Sequence, residues 1–172
     1  VMASPLLIAA YSAYGCNPTP VPYMETYSNL QLNMIDGQVN PVFAIEEMKF
    51  YEVQEYLNFL NHEVFIGTFC TNPEFWESLT EEEKAMVMEI QEELDQYVFD
   101  MQNQYSQERL EKILANKPDI GLIEYTDEER AVFQEKAQAG YDYYLDLTGE
   151  EGQKLLEMLQ EDIAVAEKEL NQ

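Results

Sequence analysis

The chain has 172 residues, 46% hydrophobic and 12% aromatic, enough to build a core and too apolar for a disordered polymer. Nine Lys and Arg against 34 Asp and Glu leave a formal net charge of −25, which argues against nucleic acid or an anionic membrane surface as a partner. No run of about 20 apolar residues is present to read as a membrane span, and screening within roughly 8 Å leaves room for a small anionic ligand held by local donors.

Ser4-Pro5 predicts a first helix, with Ser as N-cap and Pro at the first helical position. Leu7, Ile8, Tyr11 and Tyr14 share one face of it, and Gly15 ends it. The apolar run before Cys16 looks like the tail of a lipoprotein signal. No Lys or Arg precedes Lys49, however, so the basic start of such a signal is missing and the run reads as a helix of the mature protein. Three prolines make residues 17–23 extended, and a strand there would be short or at a sheet edge. Residues 26–34 read as a helix with Tyr27, Leu30 and Met34 in a stripe.

Asp36-Gly37 is a turn signal. Asn40-Pro41 then reads as a helix start, with Asn40 as N-cap and the helix running through Phe43, Ile45 and Phe50 to about Val53. A helix N-terminus at that point suits an anion, although a cap alone accounts for the same residues. Residues 55–61 and 64–71 read as strands.

Thr80 with Glu83 is a capping box that opens a long helix, and Glu81 and Glu82 complement its first turn. Val87, Ile90, Leu94, Tyr97, Met101 and Tyr105 step by three or four, which predicts one buried face that also takes in Val98. The pattern reaches Leu114, and Pro118 stops it. Residues 120–125 read as a strand, and Thr126 with Glu129 is a second capping box. The helix after it carries Val132, Phe133, Tyr143, Tyr144 and Leu147 and closes at Gly149. A last helix over about 150–170 turns Leu155, Leu156, Leu159, Ile163 and Ala166 inward. The fold class is α/β and helix-rich.

A convergent catalytic set is not visible. His62 is the only histidine, and no Gly-rich phosphate loop or Cys/His metal spacing accompanies it, so no cofactor, metal or enzymatic step is assigned. Cys16 and Cys70 read as two buried, unbridged thiols. Arg109 and Arg130, the only arginines, fall in charged helical runs and read as surface i,i+4 partners.

Four blocks carry a family resemblance: Asn17-Pro18-Thr19-Pro20-Val21-Pro22-Tyr23; Glu25-Thr26-Tyr27-Ser28-Asn29-Leu30-Gln31; Asp36-Gly37-Gln38-Val39-Asn40-Pro41; and Lys49-Phe50-Tyr51-Glu52-Val53-Gln54. In this order and spacing they resemble the solute-binding proteins of TRAP transporters, the DctP-like family. Asn61-His62 and Phe75-Trp76-Glu77-Ser78-Leu79-Thr80 extend the match, which beyond about Leu79 is one of layout.

The resemblance implies part of a two-lobe periplasmic-binding-protein fold, type II-like, with a long central helix. Residues 1–64 would form the first part of lobe II, 65–105 would reach lobe I and the hinge, and 106–172 would return to lobe II. The chain reads as a C-terminal half that starts one residue after the family's clamp arginine. It implies capture of an organic acid (a C4-dicarboxylate, sugar acid or keto acid), delivery to a TRAP membrane permease, and an extracytoplasmic location, periplasmic or at the cell surface.

By position, Asn40 would hydrogen-bond the ligand carboxylate. Tyr23 would line the cleft, its other reading being a core aromatic at a strand end. His62 matches a position that contacts ligand in some members, its other reading being structural. The rival interpretation is a free-standing acidic helical interaction module, with the late helix stripes as partner faces and Asn40 as a cap only.

Overall fold

The computed structural model describes residues 1–170. They form two compact units, Tyr27–Glu124 and a second made of Val1–Thr26 with the described residues from Tyr125 onward.

In the latter unit, helix α1 (Pro5–Ala13) starts as predicted: Ser4 is the N-cap, and its Oγ accepts from the Leu7 N–H. Gly15 follows the C-cap with φ +92°. Helix α6 (Asp127–Leu170) opens on the second capping box, where the Thr126 N–H donates to Glu129 Oε2 and the Glu129 N–H to Thr126 Oγ1. It breaks where expected, at Gly149 with φ +61°, a conformation that costs a residue with a Cβ about 1–2 kcal/mol. α6 packs on α1 near Gly140, where a Cβ would meet Ala10 at 3.6 Å. Tyr14, Phe133 and Tyr125 make consecutive edge-to-face ring pairs.

The unit Tyr27–Glu124 holds the buried core. Helix α2 (Thr26–Gln31) follows a 3-10 turn at Tyr23–Glu25 and contributes Leu30. Helix α3 (Val42–Glu47) contributes Ala44 and Ile45, and a 3-10 turn at Phe50–Val53 contributes Phe50 and Tyr51. Strand β1 (Tyr56–Phe59) pairs in parallel with β2 (Gly121–Glu124), Tyr56 opposite Gly121. Gly121 is required there, because a Cβ would lie 2.4 Å from the Tyr56 ring. Between the strands come α4 (Pro73–Ser78) and α5 (Glu81–Asn116). Leu30, Ile45, Phe50, Tyr51, Leu57, Ile113 and Ile120 form one cluster, with Phe50 and Ile113 at 0% exposure. The predicted capping box of α5 is present in both directions.

Several expectations are corrected. Residues 17–23 join no strand ladder, and 26–34 is helical only to Gln31, with Met34 exposed. The expected helix over 41–53 breaks after Glu47, because Lys49 adopts left-handed φ +56°; the turn beyond it drives Phe50 and Tyr51 into the core, and that burial offsets the strain. Residues 64–71 form no strand and expose Val64, Phe65, Ile66 and Phe69. On α5 the predicted stripe is exposed at Val87, Ile90, Tyr97, Val98 and Tyr105 and half-buried at Leu94 and Met101; burial is complete only near its end, at Ile113.

On α6, Val132, Tyr143, Leu147, Leu155, Leu159, Ile163 and Ala166 are exposed, and Phe133, Tyr144 and Leu156 half-buried. Periodicity marks which residues share a face and does not supply the surface that covers it. The cysteines are unbridged as expected, but both are exposed rather than buried.

The surfaces of α5 and α6 carry an uncharged device. Gln91, Gln96, Gln104 and Gln107 on α5, and Gln138 and Gln153 on α6, each donate a side-chain amide to the carboxylate four residues on. Such pairs hold helices in a chain with few cations to give.

Candidate functional site

The segment that leads into α3 is built from a bend and an extended run. The chain bends at Asp36, Gly37 does not adopt the positive φ expected of it, and Pro41, at φ −61° and ψ 154°, is the N-cap residue of α3. The helix begins from the Pro41 carbonyl, which accepts from the Ala44 and Ile45 N–H groups. Asn40 is therefore not the cap it was expected to be, and Pro41 precedes the helix rather than opening it. α3 has only six residues, so the argument for an anion at its N-terminus also falls. The Asn72-Pro73 pair behaves differently: Asn72 caps α4, with its Oδ1 accepting from the Glu74 N–H at 2.8 Å and Pro73 inside the helix.

The half-buried Asn40 side chain enters a chain of amides instead. Its Nδ2 donates to Gln38 Oε1 at 2.6 Å, and Gln38 Nε2 donates to Gln54 Oε1 at 3.1 Å. The Gln54 backbone carbonyl accepts from Lys117 Nζ at 2.6 Å, tying this run to the end of α5. Gln38 and Gln54 fall within the family blocks, but no role was expected of either. Gln38 was within reach, because residues two apart in an extended run point to the same side. No local signal marks Gln54.

Tyr23 opens the 3-10 turn of its own unit and is 42% exposed. His62 lies in the exposed segment after β1, with Nε2 4.0 Å from Glu63 Oε2. It belongs to the same unit as Asn40.

Arg109 is not an i,i+4 surface partner. It crosses to Glu46 of α3, bonds it through Nη1, and its already high pKa is raised further by that hydrogen bond. Arg130 does pair along its own helix, with Asp127 three residues away at 2.9 Å. Both arginines thus have acidic partners within the chain.

Two concavities occur elsewhere. One of about 340 Å³ is lined by Lys49, Tyr51, Glu52, Asn116 and Lys117, and one of about 430 Å³ by Leu145, Gly149, Glu150, Gln153, Lys154 and Glu157. Neither includes Tyr23, Asn40 or His62. Among the described residues no group of three His, Cys, Asp or Glu could hold a metal ion, and no helix is long and apolar enough to cross a membrane.

Residues 1–146 match the family described as bacterial extracellular solute-binding protein, family 7 (DctP). The chain belongs to that family. It is 35% identical over 168 residues to the ectoine-binding periplasmic protein TeaA of Halomonas elongata, covering 98% of this chain and 49% of TeaA. To the ectoine/5-hydroxyectoine-binding periplasmic protein UehA of Ruegeria pomeroyi it is 34% identical, covering 95% of this chain and 48% of UehA. The solved structure of the Halomonas elongata protein, from the TeaABC TRAP transporter, superposes with a TM-score of 0.87 over 96% of this chain and 54% of that one.

The DctP chain described here therefore spans about half the length of these relatives. Its architecture is the helix-rich one of the TRAP solute-binding proteins, whose fold has two lobes. Membership in this family does not favour the reading as a free-standing acidic interaction module.

Proposed function

We propose that this chain is part of an extracytoplasmic solute-binding subunit that captures a small carboxylate-bearing solute of the ectoine type and hands it to a TRAP membrane permease. No bond is made or broken in that task. The observation that carries the proposal is 35% identity to an ectoine-binding protein over nearly the whole chain. The family also includes proteins named for binding 2,3-diketo-L-gulonate and C4-dicarboxylates, so sugar acids, keto acids and dicarboxylates are the competing ligands.

In this reading residues 1–64 and 106–172 belong to lobe II, while 65–105 reach lobe I and the hinge. The exposed apolar side chains at Phe65, Ile66, Phe69, Ile90 and Tyr97 support it, because a second lobe would cover them. Asn40 donates to the ligand carboxylate through the second hydrogen of its amide nitrogen, the first being given to Gln38. Tyr23 would pack its ring on the ligand's carbon frame, and His62 would serve as a further donor to the ligand.

Titration calorimetry of the full-length protein that carries this chain tests the proposal, with ectoine, succinate and glucuronate as ligands. Ectoine is expected to bind most tightly. Asn40→Ala should weaken binding at least about tenfold, as loss of a hydrogen bond to a charged group does. Since Asn40 caps no helix, its melting temperature should hold. Asn40→Asp should abolish binding by facing the ligand's charge with another. A wild-type protein that binds none of the three would sink the proposal, and an Asn40→Asp variant that binds normally would remove Asn40 from the site.

A further inference from the structure

We infer that Gln38 and Gln54 are positioning residues that fix which end of the Asn40 amide meets the ligand. This rests on the proposed role of Asn40 as a carboxylate donor. A primary amide can turn over about its last torsion and exchange N for O with almost no change of shape, so only its hydrogen bonds decide the orientation. In Asn40 that decision falls to Gln38 Oε1, 2.6 Å from Nδ2. A turned Asn40 would set oxygen against oxygen there, and would offer an acceptor where a carboxylate needs a donor.

Gln38 is itself a primary amide with the same ambiguity. Its orientation is set by Gln54 Oε1, which accepts from Gln38 Nε2 at 3.1 Å. The Gln54 backbone is extended at the entry to β1, and its main-chain carbonyl accepts from Lys117 Nζ at the end of α5, which places the residue beside Gln38. All of these residues belong to one compact unit. The order of donors has a further effect. Each amide that donates becomes a better acceptor, and each that accepts becomes a better donor. Because Gln38 donates onward to Gln54, its oxygen is the better acceptor for Asn40, and the bond that fixes the Asn40 amide is strengthened without a cation in the run.

Two measurements decide the inference. The first needs no ligand: the side-chain amide protons of Asn40, followed by nitrogen-resolved NMR. In the wild type the proton given to Gln38 should lie downfield and exchange slowly. Gln38→Met and Gln54→Met should each erase that signature, whereas Gln54→Glu, which keeps an oxygen for Gln38 Nε2, should restore it. The second is calorimetry with ectoine on the full-length protein. Gln38→Met should lose about fivefold in affinity and Gln54→Met about threefold, with Gln54→Glu recovering most of the Gln54→Met loss. Melting temperatures should stay within about 2 °C of wild type, the range of a small surface change.

An Asn40 amide signal indifferent to Gln54→Met overturns the inference. So does full ectoine affinity in Gln38→Met beside lost affinity in Asn40→Ala, since that result leaves the ligand role of Asn40 standing alone. If Asn40→Ala also binds normally, the role of Asn40 fails first and the inference with it. If the wild type does not bind ectoine, the proposed ligand fails, and the amide signals still decide whether Gln54 orients Asn40 through Gln38.

Discussion

The two ends of α5 have the same periodicity and opposite fates. Near its start the apolar residues Val87, Ile90, Tyr97 and Val98 face solvent; near its end Ile113 is wholly buried, with Leu110 and Leu114 packed beside it. Only at the end do α3, the turn after it and the β1–β2 pair bring partner surface, and Arg109 adds a bond to Glu46 across to α3. A helix of this length is therefore anchored at one end. Its stripe is one continuous feature of the sequence, but burial belongs to whatever packs against each part of it.

That comparison can be broken most forcefully at Ile113. Ile113→Asp puts an unpaired carboxylate in a fully enclosed site and should cost about 3–5 kcal/mol, enough to unfold the unit around it. A urea titration followed by circular dichroism should show it; a midpoint near wild type would mean that the core has been misplaced. Arg109→Ala comes next. It leaves Glu46, whose side chain is only 17% exposed, without its partner across the helices, and should lower the melting temperature by less than Ile113→Asp. Glu46→Ala added to Arg109→Ala should cost little more, and full additivity would show that the pair is not coupled.

At the exposed end, Leu94→Asp should cost under about 1 kcal/mol in this chain, because Leu94 is only half-buried, and Val98→Asp should be close to neutral. This reverses what the stripe alone predicts, the unfolding of the chain by Leu94→Asp. In the full-length protein the same substitutions should become several-fold more damaging if a second lobe covers this face, and equal effects in both settings would remove that lobe arrangement.

The smallest effect is one of pH at the very start of α5. Glu83 is held below its ordinary value of 4.5 by the Thr80 backbone N–H and then by the Thr80 hydroxyl. A depressed carboxylate stabilises the folded state fully above its unfolded pKa and loses that contribution as the pH falls through the lower folded value. Helicity at this end should therefore fray below about pH 4.5, while Thr80→Ala should fray it already at neutral pH and flatten the acid dependence. An unchanged acid profile in Thr80→Ala would show that the capping box contributes nothing in solution.

What could be read from the sequence was what neighbours within four residues decide. Ser4-Pro5, both Thr/Glu capping boxes and the break at Gly149 are of that kind, and each stands where expected. The Asn40-Pro41 and Asn72-Pro73 pairs mark the limit. Asn72 has nothing better to bind than its own helix, whereas Asn40 has Gln38 on the same side of an extended run, and that bond takes the side chain away from the cap. Lys49 escaped notice because left-handed backbone at a lysine is fixed by the burial of Phe50 and Tyr51, a non-local gain. The strand expected over 64–71 has the right composition but no ladder partner among the described residues. At the site, the family blocks pointed to Asn40, and its partner Gln38 lies two residues away, but the amide that holds Gln38 in turn is Gln54, fourteen residues beyond Asn40, which no local pattern connects.

The glutamine–carboxylate pairs along α5 and α6 also say how this protein should age. Deamidation turns a glutamine into a glutamate. At Gln91, Gln96, Gln104, Gln107, Gln138 or Gln153 the product would face another carboxylate four residues away, with the donor gone. Each event exchanges a gain of roughly 0.2–0.5 kcal/mol for a repulsion of similar size. With a net charge of −25, the added charge falls on a chain that already holds 34 acids against nine bases. Chemical wear in old or heated samples should thus accumulate along the two long helices as added negative charge and lost helicity together, while the core around Phe50 and Ile113 stays intact.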